Sequence, residues 1–197
     1  ENIYDRGFKR FSAPVWGGYY QDKRDMYQRE WYVYVPESAP AEGEMPAVFV
    51  FHGAGGSGDE IADRMGWSAA ADRYGFMLVM PTASEPNEVR SISDIRTNNI
   101  FRPMWNTGYP QPERPEDMRF LDFLYQWVTK TYPVDKSRIY ASGQSSGGMM
   151  SWACAAYRAD YFATAAPFSA RHIDIEAVER GEKEREPVCS SLIPVMA

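Results

Sequence analysis

Two apolar patterns alternate along the chain. Ala47 to Phe51 (AVFVF) and Phe76 to Met80 (FMLVM) are unbroken apolar runs of strand length, the pattern of strands covered on both faces within a parallel sheet. Between them, Ser57 or Asp59 can cap a helix running to about Tyr74, which Gly75 ends; Pro81 closes the second run. Earlier, Glu30 to Val35 (EWYVYV) is dense in aromatic and β-branched residues and predicts a strand stopping at Pro36, after an opening of mixed Tyr, Gly and charge. Glu116 to Tyr132 carries Met118, Leu121, Leu124, Tyr125 and Val128 at spacings of three and four, so one apolar stripe faces a core and the acidic start suits a helix N-terminus. Arg138 to Ala141 predicts a short strand, Ser146 to about Tyr157 a helix, and Tyr161 to Pro167 a small-residue strand.

This β-α alternation predicts a mainly parallel sheet with helices on both faces, because parallel neighbours need right-handed crossovers. Residues 1–197 read as a single domain. Pro36 to Pro46 reads as a surface connection. Residues 82–115 form a long aperiodic excursion holding Pro86, Pro103, Pro110, Pro112 and Pro115, a candidate substrate-contacting loop. Ile173 to Glu186 reads as a charged helix or solvated loop, and Leu192 to Met196 as the opening of another buried strand. A free carboxylate at the end of a core strand is costly, so the chain is expected to be truncated at its C-terminus. It begins at Glu1 rather than Met, so an N-terminal segment is expected to have been removed or omitted, which leaves the compartment open.

Composition narrows the partners. Lys and Arg number 21 against 27 Asp and Glu, and the net charge of −6 argues against nucleic acid or anionic membrane as the main partner. A neutral or small substrate is expected instead. No run reaches the roughly 18–20 consecutive apolar residues that a membrane-spanning helix needs. Cys154 and Cys189 are too few for a disulfide framework and read as free thiols. Histidines and acids do not cluster at ligand spacings, so neither metal nor cofactor is expected.

The candidate chemistry lies in Arg138 to Met150, RIYASGQSSGGMM. A strand runs into Gly143-Gln144-Ser145-Ser146-Gly147, a G-x-S-x-G sequence, and then into a helix start. A sharp strand-to-helix turn crowds the backbone; glycine at both flanks lets neighbouring segments approach while Ser145 is raised into a cleft as the nucleophile. The helix N-terminus and the Ser146 N–H lie where an oxyanion would form. His52-Gly53-Ala54-Gly55-Gly56, directly after a buried strand, is a flexible arc that can aim a second N–H, that of Ala54, at the same oxygen. It lacks the Lys-Ser/Thr ending of a phosphate-binding loop. His52 and Trp105 are candidate substrate contacts, with His52 better suited to holding its loop than to acting as base; Trp152 reads as packing.

VFVFHGAGGSG, AADRYGFMLVMP, the pair Trp105-Asn106 and above all YPVDKSRIYASGQSSGGMMSW resemble the α/β-hydrolase superfamily, and within it the polyhydroxybutyrate depolymerase and feruloyl or acetylxylan esterase group, from about Glu30 to Ala197. The resemblance implies a secreted or periplasmic serine ester hydrolase with Ser145 as nucleophile and Ala54 and Ser146 at the oxyanion hole. Its substrate would be a small-molecule or polymer-borne ester. In that family the triad acid and histidine follow the serine on later loops, so both are expected beyond Ala197, supplied by a missing C-terminal segment or a second chain. Within the chain, Asp160 fails as the acid, because the helix after Ser145 carries it about 18 Å from the active face. His172, beside Asp174, follows a strand on the same face as Ser145 and is a non-standard alternative. Two other readings stand beside the esterase: a peptidase of the same superfamily, and a non-catalytic binding module with the fold but no acid or base.

Overall fold

The computed structural model describes residues 2–20, 23–40, 44–84, 103–107 and 115–170. Among them lie strands β1 (Lys9–Tyr20), β2 (Lys23–Tyr34), β3 (Met45–Phe51), β4 (Met77–Thr82), β5 (Val134–Gln144) and β6 (Thr164–Phe168). The helices are α1 (Gly58–Arg64), α2 (Trp67–Tyr74), α3 (Asp117–Thr131) and α4 (Ser146–Tyr157). One sheet holds all six strands in the order β1-β2-β4-β3-β5-β6. β1 pairs antiparallel with β2 and β2 antiparallel with β4, while β4, β3, β5 and β6 run parallel.

The unbroken apolar runs are explained by burial on both faces. Successive residues of a strand point to opposite sides, so Val48 and Val50 of β3 join Leu78 and Met80 of β4 against Ile61, Ala62 and Ala71 of α1 and α2. Phe49 and Phe51 face the other way, with Val79 and Ile139, against Leu121, Leu124 and Val128 of α3 and Ala153 and Cys154 of α4. Each fully buried Leu or Phe contributes about 1.5–3 kcal/mol relative to exposure.

Chain direction creates the crevice. From β3 the chain crosses to β4 on one side, and from β4 it returns past β3 to β5 and then β6. Right-handed crossovers therefore place α1 and α2 on one face and α3 and α4 on the other. Adjacent strands whose connections leave in opposite directions leave a gap at their C-terminal ends, here those of β3 and β5. Phe51 pairs with Gly143 in the β3/β5 register, so the segments that follow, His52 to Gly56 and Gln144 to Gly147, stand side by side at that gap.

Several boundaries differ from the sequence expectation. The opening forms β1, the partner of a β2 that starts well before Glu30; alternate side chains such as Phe11 and Ala13 pack on the core while Ser12 and Pro14 face solvent. The helix expected up to Tyr74 is two helices, because Gly66 takes a left-handed conformation at φ 68° between them. β4 continues through Pro81 to Thr82, β5 starts at Val134 rather than Arg138, and the last described strand is Thr164–Phe168 rather than Tyr161 to Pro167. The helices at Asp117–Thr131 and Ser146–Tyr157 match the expectation closely. Ile173 to Glu186, Leu192 to Met196 and most of the 82–115 excursion lie outside the described residues.

Candidate active site

Ser145 is the hinge between β5 and α4. Its backbone sits at φ 54°, ψ −117°, a conformation that costs a side-chain-bearing residue about 1–3 kcal/mol and persists only where the surroundings enforce it. The enforcement comes from neighbours on both sides. The Ser145 N–H donates to the Phe168 carbonyl at 2.9 Å, and the Ser145 carbonyl accepts from the Met149 N–H at 3.0 Å as the helix begins. The side chain is exposed. A cleft of about 390 Å³ opens beside it, bounded by residues 52–56, by Glu60 and Arg64 of α1 and by Met65, which follows that helix.

The two flanking glycines are steric necessities. A β-carbon on Gly143 would lie 2.5 Å from the Phe51 carbonyl oxygen, and one on Gly147 would lie 2.0 Å from the same atom. No residue but glycine lets β3 pass this close to the turn. The arc after β3 reaches the serine: a β-carbon built on Gly53 would lie 3.8 Å from the Ser145 β-carbon. Ala54 is exposed at the cleft, while the Ser146 side chain is buried beneath it.

His52 is only 2% exposed, and both ring nitrogens are engaged. Nδ1 lies 2.7 Å from the Gly53 carbonyl, and Nε2 accepts the Ala83 N–H at 2.9 Å, so the neutral ring carries its proton on Nδ1. Burial pushes its pKa down to about 4, against the smaller upward pull of the Gly53 hydrogen bond. Such a ring has no nitrogen left to take a proton from Ser145. Trp105 is likewise buried, 3% exposed, with its ring edge-on to Phe51 and tilted against His52. Its indole N–H donates to the His52 carbonyl at 2.8 Å and its backbone N–H to the Ser146 hydroxyl at 3.2 Å. Trp152 is partly buried and packs on the core.

A buried polar cluster that begins one residue after Trp105 has no counterpart in the sequence expectation. Arg29 of β2 and Asp117 at the start of α3 form a 2.5 Å ion pair in the interior. The other Asp117 oxygen accepts the Asn106 N–H at 2.7 Å, and the Asn106 amide donates to the Pro115 carbonyl. Asn106 stood out in sequence only as the neighbour of Trp105; Arg29 and Asp117 fall on a strand and at a helix start, where charges are ordinary. Asp160 sits in the turn after α4, at the helix end opposite Ser145. His172 and Asp174 lie outside the described residues. Among the described residues no group of three or more His, Cys, Asp or Glu side chains is placed to hold a metal, and no helix is long and apolar enough to cross a membrane.

A mainly parallel sheet, a serine at a strained strand-to-helix turn and a glycine-rich arc beside it define an α/β-hydrolase fold. The chain belongs to the Esterase family ("Putative esterase"), which matches it over residues 26–183. It is similar to feruloyl esterase B of Talaromyces funiculosus, 28% identical over 139 residues, covering 70% of this chain and 35% of that protein. It is also similar to the poly(3-hydroxybutyrate) depolymerase of Ralstonia pickettii, 30% identical over 144 residues, covering 67% of this chain and 27% of that protein. The chain thus spans about a third of the length of these curated relatives. Its fold is shared with the acetyl xylan esterase of Aspergillus awamori at a TM-score of 0.58 and 18% identity, over 85% of this chain and 54% of that one.

Proposed function

We propose that this chain carries the nucleophile and oxyanion hole of a serine-dependent carboxylic ester hydrolase. The observation that carries the reading is the exposed Ser145 at φ 54° on the tip of β5, beside the arc that follows β3. The Ser145 hydroxyl attacks the ester carbonyl carbon and gives its proton to a base. The carbonyl oxygen becomes an oxyanion, held by the backbone N–H groups of Ala54 and Ser146 at the positive end of α4. Collapse breaks the bond to the alcohol oxygen, which leaves with the proton, and the acyl group remains on Ser145. Water, deprotonated by the same base, then attacks the acyl-enzyme and restores the serine.

His52 does not suit the base, since its two nitrogens are committed to backbone partners and burial keeps it neutral. We assign it, with Trp105, to holding the arc in place rather than to touching substrate. The base and its acid come, in this reading, from outside the described residues, on later polypeptide or a partner chain. Membership of the Esterase family supports ester over peptide substrates.

The test is fluorophosphonate treatment of the full-length protein followed by peptide mass spectrometry, with p-nitrophenyl acetate hydrolysis assayed in parallel. Label on Ser145, and loss of hydrolysis in Ser145→Ala, are expected. Hydrolysis that survives Ser145→Ala, or a Ser145 that stays unlabelled, overturns the assignment.

A further inference from the structure

Residues 103–106 connect the two halves of the proposed oxyanion hole to each other. The Pro103 carbonyl accepts the Gly55 N–H at 2.9 Å, and the Trp105 indole N–H reaches the His52 carbonyl at 2.8 Å, so this segment grips the arc at both ends of Ala54. The Trp105 backbone N–H, on the same residue, reaches the Ser146 hydroxyl at 3.2 Å and so grips the elbow. One residue further, the Asn106 N–H is fixed to Asp117, which is fixed in turn to Arg29. The elbow is held by its own backbone bonds and by the start of α4, whereas the arc leaves β3 as a loop closed by the Gly56 N–H on the Gly53 carbonyl, and a peptide N–H at such a loop tip has several backbone settings available. Oxyanion stabilisation needs both N–H groups aimed before the reaction begins, since donors that must reorient lose most of their advantage.

We infer that Trp105 is a positioning residue: through its two N–H groups it ties the arc to the fixed elbow and so sets where the Ala54 backbone donor stands relative to that of Ser146, with the Arg29, Asp117 and Asn106 cluster as its foundation. The inference rests on the oxyanion-hole reading above. It gives the buried ion pair a role in rate as well as in stability, and it assigns the Ser146 hydroxyl, which faces away from the cleft, to Trp105 rather than to substrate.

Two conservative variants test it in the full-length protein. Trp105→Phe keeps an aromatic ring against Phe51 and His52 but removes the indole donor; Ser146→Ala removes the hydroxyl acceptor and leaves the Ser146 backbone N–H in place. Each is expected to lower kcat for p-nitrophenyl acetate by about 10-fold to 100-fold, with KM within about twofold, because misaimed donors act on the transition state and not on ground-state binding. Affinity for a boronic acid that forms a tetrahedral adduct on Ser145 should fall by the same factor. The double variant should lose less than the product of the single losses, since both remove the same brace. Unchanged kcat in both variants of an active enzyme, or a loss confined to KM or to thermal stability, overturns the brace and leaves the esterase reading standing. Absence of ester hydrolysis and of Ser145 labelling in the unmodified protein removes both together.

Discussion

Gly147 and Phe51 approach so closely that a β-carbon on Gly147 would lie 2.0 Å from the Phe51 carbonyl oxygen and 2.6 Å from that of His52. Both obstacles are backbone of a central strand and its exit, which cannot swing aside as a side chain can. Gly147→Ala should therefore destabilise the fold by about 3 kcal/mol or more. Gly66→Ala is the comparison: its φ of 68° is unfavourable for alanine, but nothing lies within 4 Å, so a cost of about 1–2 kcal/mol is expected. Urea denaturation of the two variants checks the ranking; equal costs would mean that strand and elbow are less tightly joined than the geometry requires.

The Arg29–Asp117 pair is 2% and 1% exposed, so removing one partner leaves a charge in the interior. Arg29→Met should cost about 3–5 kcal/mol, and adding Asp117→Asn should recover part of the loss, because the remaining charge goes while an oxygen stays for the Asn106 N–H. The Arg29 Nε has no hydrogen-bond partner among the described residues, which makes the intact pair less favourable than its short distance suggests. Equilibrium unfolding of the single and double variants gives the coupling. A cost below about 1 kcal/mol for Arg29→Met would contradict a buried, charge-dependent pair.

His52 gives the folded state a defined acid sensitivity. Its pKa falls from 6.5 to about 4 on folding, so between those values the unfolded chain binds the proton better. The stability it contributes is complete above pH 6.5, is lost as the pH drops toward 4, and changes no further below that. Between pH 7 and pH 5 the loss should be on the order of 2 kcal/mol. His52→Asn should be less stable at pH 8 but should show a flatter stability profile from pH 7 to pH 5. Parallel profiles for the two proteins would show that His52 titrates normally in the fold.

Cys154 is fully buried in α4, and burial raises its thiol pKa well above the ordinary value. It should resist iodoacetamide in the native protein at pH 8 and react fully in 6 M guanidinium chloride. Mass spectrometry of the peptide containing Cys154 reads the difference. Rapid native labelling would mean that α4 opens from the sheet far more readily than its packing implies.

The parts of the fold that were legible in sequence are those in which a local pattern and the tertiary arrangement agree. β3 and β4 are apolar without interruption because both their faces are covered, and the stripe on α3 faces the core it predicts. The elbow was legible because steric exclusion writes glycine at 143 and 147 whatever the rest of the chain does. β1 was not, since an edge strand with one solvated face carries half the apolar signal and its Gly17 and Pro14 mimic a loop. The break at Gly66 was hidden for a related reason: a single glycine inside a helical pattern costs only about 1 kcal/mol, so its left-handed turn follows from how α1 and α2 each meet the sheet.

The sequence by itself determined the β-α alternation from β3 to β6, the strand-to-helix turn at Ser145 and the residue types that surround it, because each of these depends on neighbours along the chain. Tertiary structure alone decided that the arc after β3 stands against the turn after β5, that His52 turns inward with both nitrogens occupied, and that Arg29, Asp117, Asn106 and Trp105 meet beneath them. Those relations join residues far apart along the chain; Arg29 and Asp117 are separated by 88 positions. No local propensity encodes such a distance; only the burial of the sheet between its helices brings the partners together.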